Sequence, residues 1–264
     1  MPGNIDHNQF LIFAHGLADA AGAAILPHFR KRGSVTNKSD DSFDPVTEAD
    51  RGAEAAMRAM IERAYPDHGI LGEEFAAKAA DGPYRWLLDP IDGTRAFIMG
   101  LPIWGILIGL THDGRPELGM MDQPYTGERF WGSPAGAWFR NRQGEQRIAT
   151  RRCPALSHAI LATTTPDMFK GGDAEHFGSL SRACRMTRFG GDCYLYCLLA
   201  MGFIDIVAEA SLKPFDIVPL VPIIEAAGGV VTTWDGGDAA NGGQILAVGD
   251  PALQQAAMAA LCGD

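Results

Sequence analysis

Apolar residues recur at helical spacing between positions 8 and 29, at Leu11, Ala14, Leu17, Ala18, Ala21 and Ile25, and predict a first helix. Positions 30–43 are polar, with Gly33, Asn37, Lys38, Asp40 and Asp41, and read as a loop. Thr47-Glu48-Ala49-Asp50 then matches a capping pattern, in which a Thr heads the helix and an acid three residues on bonds back. Ala53, Met57, Met60 and Ile61 continue that helix.

Beyond Asp67-His68-Gly69 the pattern turns to strands. Residues 70–72 form a short one ending at Glu73-Glu74, and 85–88 a second ending at Asp89. Residues 104–111 form a longer apolar strand; 112–115 turn, and 116–121 run back. Segments 128–132 and 137–140 extend the meander, with a further turn at 141–144. The second half alternates: strand 158–163, helix 173–184, helix 192–201, strand 204–209, helix 216–227 closed by Gly228-Gly229, strands 230–233 and 244–248, helix 251–261. An antiparallel meander followed by alternating elements predicts a layered α+β fold. No repeat or linker divides the chain, so we read one domain over 1–264, with an antiparallel half at 1–150 and an α/β half at 151–264.

Charge narrows the partners. The net charge of −10 disfavours a nucleic-acid surface, which must neutralise phosphates. The five cysteines are odd in number and form no C-x-x-C pair; they predict buried reduced thiols and a cytoplasmic protein. No basic segment followed by an apolar run opens the chain, and no apolar stretch is long enough to span a bilayer. The seven histidines lack metal-binding spacing and read as surface or loop residues.

Chemistry concentrates in Trp86-Leu87-Leu88-Asp89-Pro90-Ile91-Asp92-Gly93-Thr94. An apolar strand delivers one carboxylate at its end, Pro90 fixes the local φ, and Asp92 follows three residues on. In a tight loop both carboxylates face one point, with the Ile91 carbonyl as a further hard oxygen; such donors suit Mg²⁺. Gly93 admits close backbone approach, and a helix starting at Thr94 would aim free N–H groups at the same spot. The plainer reading is a Pro-Asp-Gly turn and a helix cap. Glu73 at a strand end, Asp216 ahead of an apolar helix and Asp50 in the capping pattern each have such a plain alternative too: an acidic turn, an N-cap, a capping acid.

Taken together, Gly72-Glu73-Glu74, Asp89-Pro90-Ile91-Asp92-Gly93-Thr94 and Asp216 ahead of Glu225-Ala226-Ala227-Gly228-Gly229 resemble the inositol monophosphatase superfamily over nearly the whole chain. Within it, residues 92–98, 100–105 and Arg188-Phe189-Gly190-Gly191-Asp192-Cys193-Tyr194 look most like the histidinol-phosphatase branch. Arg95 departs from the Thr-Asn-Phe usual in the inositol enzymes. The resemblance implies an αβαβα sandwich, a homodimer and two or three Mg²⁺ ions held by Glu73, Asp89, the Ile91 carbonyl, Asp92 and Asp216. It implies that Asp50 and Thr94, with Glu73, orient and deprotonate the attacking water, and that Gly93, Thr94 and Arg95 hold the phosphate.

Those roles fit hydrolysis of a small phosphate monoester, in which divalent ions acidify water and neutralise the leaving alkoxide. Histidinol phosphate carries an ammonium and an imidazole, which acids beside the phosphate would recognise. Asp192 and Glu209 take that place by position in the resemblance, with Asp216 at the same pocket. Arg188 reaches the phosphate or pairs with Asp192, and Asp192 itself reads equally as an N-cap. Lys38 reads as a solvated loop residue, and Trp104 and Phe97 as core. Inositol phosphate, fructose bisphosphate or a 3′-phosphoadenosine nucleotide is the alternative substrate. A silent metal-binding regulatory protein is the alternative of another class.

Overall fold

The computed structural model describes residues 7–31, 35–37 and 45–262. Its first part runs α1 (His7–Ile25), β1 (Val35–Asn37), β2 (Pro45–Thr47), α2 (Glu48–Ala64), β3 (Gly69–Gly72), β4 (Tyr84–Asp92) and α3 (Thr94–Met99). A meander follows: β5 (Gly105–His112), β6 (Arg115–Gln123), β7 (Glu128–Ser133), β8 (Gly136–Asn141) and β9 (Gly144–Arg147). The remainder is β10 (Ile160–Thr163), α4 (Gly172–Ala183), β11 (Met186–Phe189), α5 (Cys193–Ala200), β12 (Ile206–Leu212), α6 (Pro214–Ile217), α7 (Val221–Ala226), β13 (Val230–Thr233), β14 (Gly243–Val248) and α8 (Gln254–Cys262).

Two main sheets result. Strands β3 to β9 lie side by side in chain order, antiparallel except for the β3–β4 pair. The second sheet is mixed, in the order β11-β10-β12-β14-β13. Alternating side chains decide what each face covers. Ile106 and Ile108 point to a core shared with α1 and α2, whereas Leu107 points to a central core shared with α5 and α7. Val207 and Ile245 join that central core from the other sheet, while Ile206 and Leu246 turn outward to α4 and α8. The order of layers is therefore α1–α2, sheet, α5–α7, sheet, α4–α8: the αβαβα sandwich. Each large side chain so buried contributes about 1.5–3 kcal/mol.

The middle layer lies close on the first sheet because two glycines let it. A Cβ on Gly119 would meet the Pro219 carbonyl oxygen at 1.9 Å, and one on Gly132 the Pro222 oxygen at 2.2 Å. That approach seats the α6–α7 backbone on the meander and sets Asp216 opposite the end of β4.

Several elements differ from the sequence reading. Helix α1 stops at Ile25, and the chain turns through Arg30 at φ 59°. The single helix expected over 216–227 is two, because Pro219 and Pro222 lack the N–H groups that a continuous ladder needs. Its start moves upstream to Pro214, so Asp216 is the third residue of α6 and bonds back to the Lys213 N–H at 2.7 Å. Strands β9 and β11 carry mostly exposed residues and give no apolar alternation. His68 is not a surface residue: it is 9% exposed, stacks between Tyr65 and Tyr84, and accepts the Trp86 indole N–H at 3.1 Å. Lys38 and the rest of 38–44 lie outside the described residues. No helix among the described residues is long and apolar enough to cross a membrane.

Candidate active site

The buried strand β4 carries its acids to the sheet's edge and then bends. Register with β5 shifts by one residue between Asp89, opposite Leu107, and Asp92, opposite Gly105. Pro90 sits in this bulge, where no ladder N–H is needed. Asp89 Oδ1 accepts the Ile91 N–H at 3.0 Å, and Thr94 Oγ1 donates to the Ile91 carbonyl at 3.1 Å, closing a tight loop. Gly93 turns the chain into α3 at φ 84°, with the position of its missing Cβ 3.0 Å from the Asp192 carboxyl.

Asp216 arrives at the same point from α6. Asp89, Asp92 and Asp216 offer carboxylate oxygens all within 4.8 Å of one another. Glu73, whose N–H donates to the Leu88 carbonyl at 3.2 Å, shares a hydrogen bond with Asp89. No ion pair with a basic side chain neutralises the three aspartates among the described residues. Burial and mutual repulsion therefore raise their pKa values. Asp89 is driven well above the carboxylate range by burial, then by Glu73, Asp92 and Asp216. Burial and then Asp216 push Asp92 up to about 7, even though its Oδ2 accepts the Cys193 N–H at 2.6 Å. Asp216 also rises to about 7, mainly by burial.

Asp50 is the capping acid that the Thr47 spacing predicts, and it uses one oxygen for that. Its Oδ2 closes the capping box on Thr47, accepting the N–H at 2.9 Å and the hydroxyl at 2.5 Å. Its Oδ1 is buried with no hydrogen-bond partner among the described residues. Burial raises the Asp50 pKa, and Glu73 adds to the rise. An orphaned buried oxygen and clustered, unneutralised carboxylates are what a hard divalent cation and its water would complete. The donor set is oxygen-only, so the residues fit magnesium chemistry.

Beside the aspartates lies a cavity of about 100 Å³, walled by Asp92, Thr164, Asp192, Tyr196, Glu209 and Asp216. Asp192 stands at the head of α5 at φ 46° and ψ −139°, and its side chain makes no capping bond. A non-glycine residue there is strained, and such strain concentrates at working sites. Burial, then Asp92 and Glu209, push Asp192 up to about 8, with Arg95 opposing. Glu209 is 3% exposed and accepts the Thr164 N–H at 2.8 Å and the Tyr196 hydroxyl at 3.0 Å.

The expected residues thus divide. Glu73, Asp89, Ile91, Asp92, Gly93, Thr94, Asp192, Glu209 and Asp216 converge, Asp50 adjoins through Glu73, and the exposed Arg95 flanks Asp192. Arg188 does not join them: it is exposed on the edge strand β11 and forms no ion pair with Asp192. Trp104 and Phe97 pack in the core with ring centroids 5.1 Å apart. Cys193 and Cys197 are buried thiols in α5. Thr164 and Tyr196, which fix Glu209, were missed; neither belongs to a charged motif, so nothing in their local sequence marks them.

Fold and site together define a two-sheet protein with a carboxylate cluster able to hold a metal ion beside a small cleft. The chain belongs to the inositol monophosphatase family, a family of phosphatases, whose sequence profile matches residues 6–263. It is 40% identical over 265 residues to the Arabidopsis thaliana protein named bifunctional phosphatase IMPL2, chloroplastic, covering 96% of this chain and 75% of that one. A histidinol-phosphatase of Mycobacterium tuberculosis is 33% identical, with 90% and 92% covered. Among solved structures, an inositol monophosphatase from Zymomonas mobilis is 43% identical, with a TM-score of 0.88 and 98% and 99% coverage.

Proposed function

We propose that this phosphatase is magnesium-dependent and that its substrate is L-histidinol phosphate, released as L-histidinol and phosphate. The observation that carries the metal assignment is the gathering of Asp89, Asp92 and Asp216 within 4.8 Å, with no ion-paired basic side chain among the described residues. In this reading Glu73, Asp89, the Ile91 carbonyl, Asp92 and Asp216 hold two or three ions. When bound, magnesium supplies Lewis-acid charge to the phosphoryl group and lowers the pKa of water.

The chain's own groups do the rest. Asp50 Oδ1, unpaired and raised in pKa, takes the proton of the attacking water. Thr94 Oγ1, tied to the Ile91 carbonyl, orients that water. Backbone N–H groups at Gly93, Thr94 and Arg95 and the Arg95 guanidinium hold the phosphate. Positioning supplies most of the rate, because in-line attack needs no covalent protein intermediate.

Asp192 and Glu209 support the substrate choice. Two acids in a wall of one small cavity suit an ammonium and an imidazolium better than a neutral polyol. The histidinol-phosphatase relatives agree with it. Inositol phosphate is the second reading, favoured by the 43% identity to the Zymomonas mobilis protein. Phosphate release from histidinol phosphate, inositol 1-phosphate, fructose 1,6-bisphosphate and a 3′-phosphoadenosine nucleotide, with Mg²⁺ and with chelator, tests both. The proposal expects magnesium-dependent release mainly from histidinol phosphate. Preference for inositol phosphate overturns the substrate, and equal release in chelator overturns the metal. Metal binding without turnover of any of the four supports a regulatory protein instead.

A further inference from the structure

Helix α2 carries a second buried acid one turn beyond Asp50. Glu54 is 0% exposed, and an i, i+4 spacing places it on the same face as Asp50. Its Oε1 accepts the Arg58 Nε–H at 2.7 Å, and its Oε2 accepts the Glu74 backbone N–H at 2.7 Å. Arg58 in turn donates to the Phe75 carbonyl at 3.2 Å and lies over the Phe75 ring. Gly72 makes room for the contact: a Cβ there would lie 2.0 Å from Glu54 Oε1. Of the flanks of Glu73, Glu74 is thus bonded to α2 and Gly72 packs against it, while the Glu73 N–H is tied to β4.

A second buried carboxylate on this helix face needs a reason, because burying the charge is unfavourable unless it is bonded on each side. Neighbours of Glu54 on that face are Ala53, Met57 and Ile61, all core residues. We propose that Glu54, held by Arg58, is a positioning residue that fixes the Glu73 turn against β4, so that Glu73 and Asp50 present their oxygens to one cation cluster. The rigid coupling runs through a single helix: Asp50 sits in its first turn and Glu54 in its second. This inference rests on the magnesium reading above.

Two substitutions separate positioning of the Glu74 N–H from simple charge. Glu54→Gln keeps the length and the acceptor for the Glu74 N–H but removes the charge and turns an amide NH2 on the Arg58 Nε–H; Glu54→Asp keeps the charge but falls short of the Glu74 N–H. Isothermal titration of the chelator-stripped full chain with Mg²⁺ alone is the readout, with melting in chelator reporting the fold. The expected order is wild type, then Glu54→Gln within about threefold, then Glu54→Asp about tenfold or more weaker. Turnover at saturating Mg²⁺ should return to within a few-fold of wild type in both. Arg58→Lys, which releases the Phe75 carbonyl but keeps the charge, is the milder second perturbation, with a weakening of about threefold.

Unchanged affinity in Glu54→Asp and Arg58→Lys overturns the inference. So does a loss in folded Glu54→Gln as large as that in Glu54→Asp, which would make the charge itself the essential feature. Should Glu54→Asp not fold, unchanged affinity in Arg58→Lys overturns the inference, and so does a weakening of about tenfold or more in folded Glu54→Gln. Absence of Mg²⁺ binding in wild type would instead strike the metal reading itself.

Discussion

Replacing Asp92 by Asn tests what the aspartate cluster does to its own protein. Without metal, Asp92 sits beside Asp89 and Asp216 and is pushed from 3.8 to about 7, by burial and then by Asp216. A carboxyl whose folded pKa lies above its unfolded value gives stability that is complete below pH 3.8 and lost as the pH rises to about 7. That rise corresponds to about 4 kcal/mol. Burial of the charge is the larger cause, and Asp89 and Asp216 stay buried beside the new amide, so a single neutral substitution recovers about half, or about 2 kcal/mol. Asn keeps an oxygen to accept the Cys193 N–H, which sits 2.6 Å from the native carboxylate, so no donor is orphaned. In chelator at pH 8 the variant should melt about 5 °C above wild type. At pH 4 the two should nearly coincide. Mg²⁺ should raise the melting temperature of wild type and leave the variant almost unmoved, and turnover should fall by about 10³-fold or more. Differential scanning fluorimetry in chelator and in Mg²⁺, with phosphate release, reads all of this. A variant less stable than wild type in chelator at pH 8, or one with turnover within tenfold, refutes the reasoning.

Metal removal should weaken wild type more at pH 8 than at pH 5, because Asp92, Asp216 and Asp192 ionise across that window; calorimetric melting with and without chelator gives the two differences. Gly119→Ala should cost about 3 kcal/mol or more in denaturant midpoints, since its Cβ would sit 1.9 Å from the Pro219 carbonyl oxygen, against backbone that cannot swing away. His15 is held down to about 4 by burial and by Arg129, so its contribution is present above pH 6.5 and lost as the pH falls towards 4. Half-buried as it is, the group accounts for about 1 kcal/mol, and His15→Gln should flatten that part of the stability profile relative to wild type. Glu209→Gln should raise KM for histidinol phosphate about tenfold and leave hydrolysis of an uncharged-tail phosphate ester within about twofold, measured by initial rates.

The pattern of elements made a layered α+β fold legible, whereas the αβαβα order and the grouping of the acids came from the resemblance of several motifs taken together. Short apolar runs bounded by turn residues placed β5, β6 and β14, and the Thr47–Asp50 spacing named the start of α2, which the structure closes with both reciprocal bonds. Asp89 and Asp92 stand out because a Pro and a Gly frame them at the end of a buried strand. Asp192 was legible as a residue but not in its strained backbone, which depends on the turn made by Gly190 and Gly191 before it. Arg188 drew attention through a motif; its placement on an edge strand is a matter of sheet order, which local sequence does not encode. Glu54 carries no motif, although its spacing from Met57 and Ile61 puts it on the apolar face of α2, a periodic mismatch that marks it beside Asp50.

Diffraction from crystals soaked with Mn²⁺, recorded at the manganese edge, measures the cluster most directly. The account predicts anomalous peaks about 2.2 Å from carboxylate oxygens of Asp89, Asp92 and Asp216, with Glu73 as a further ligand. Active crystals with no peak at those four side chains would contradict it.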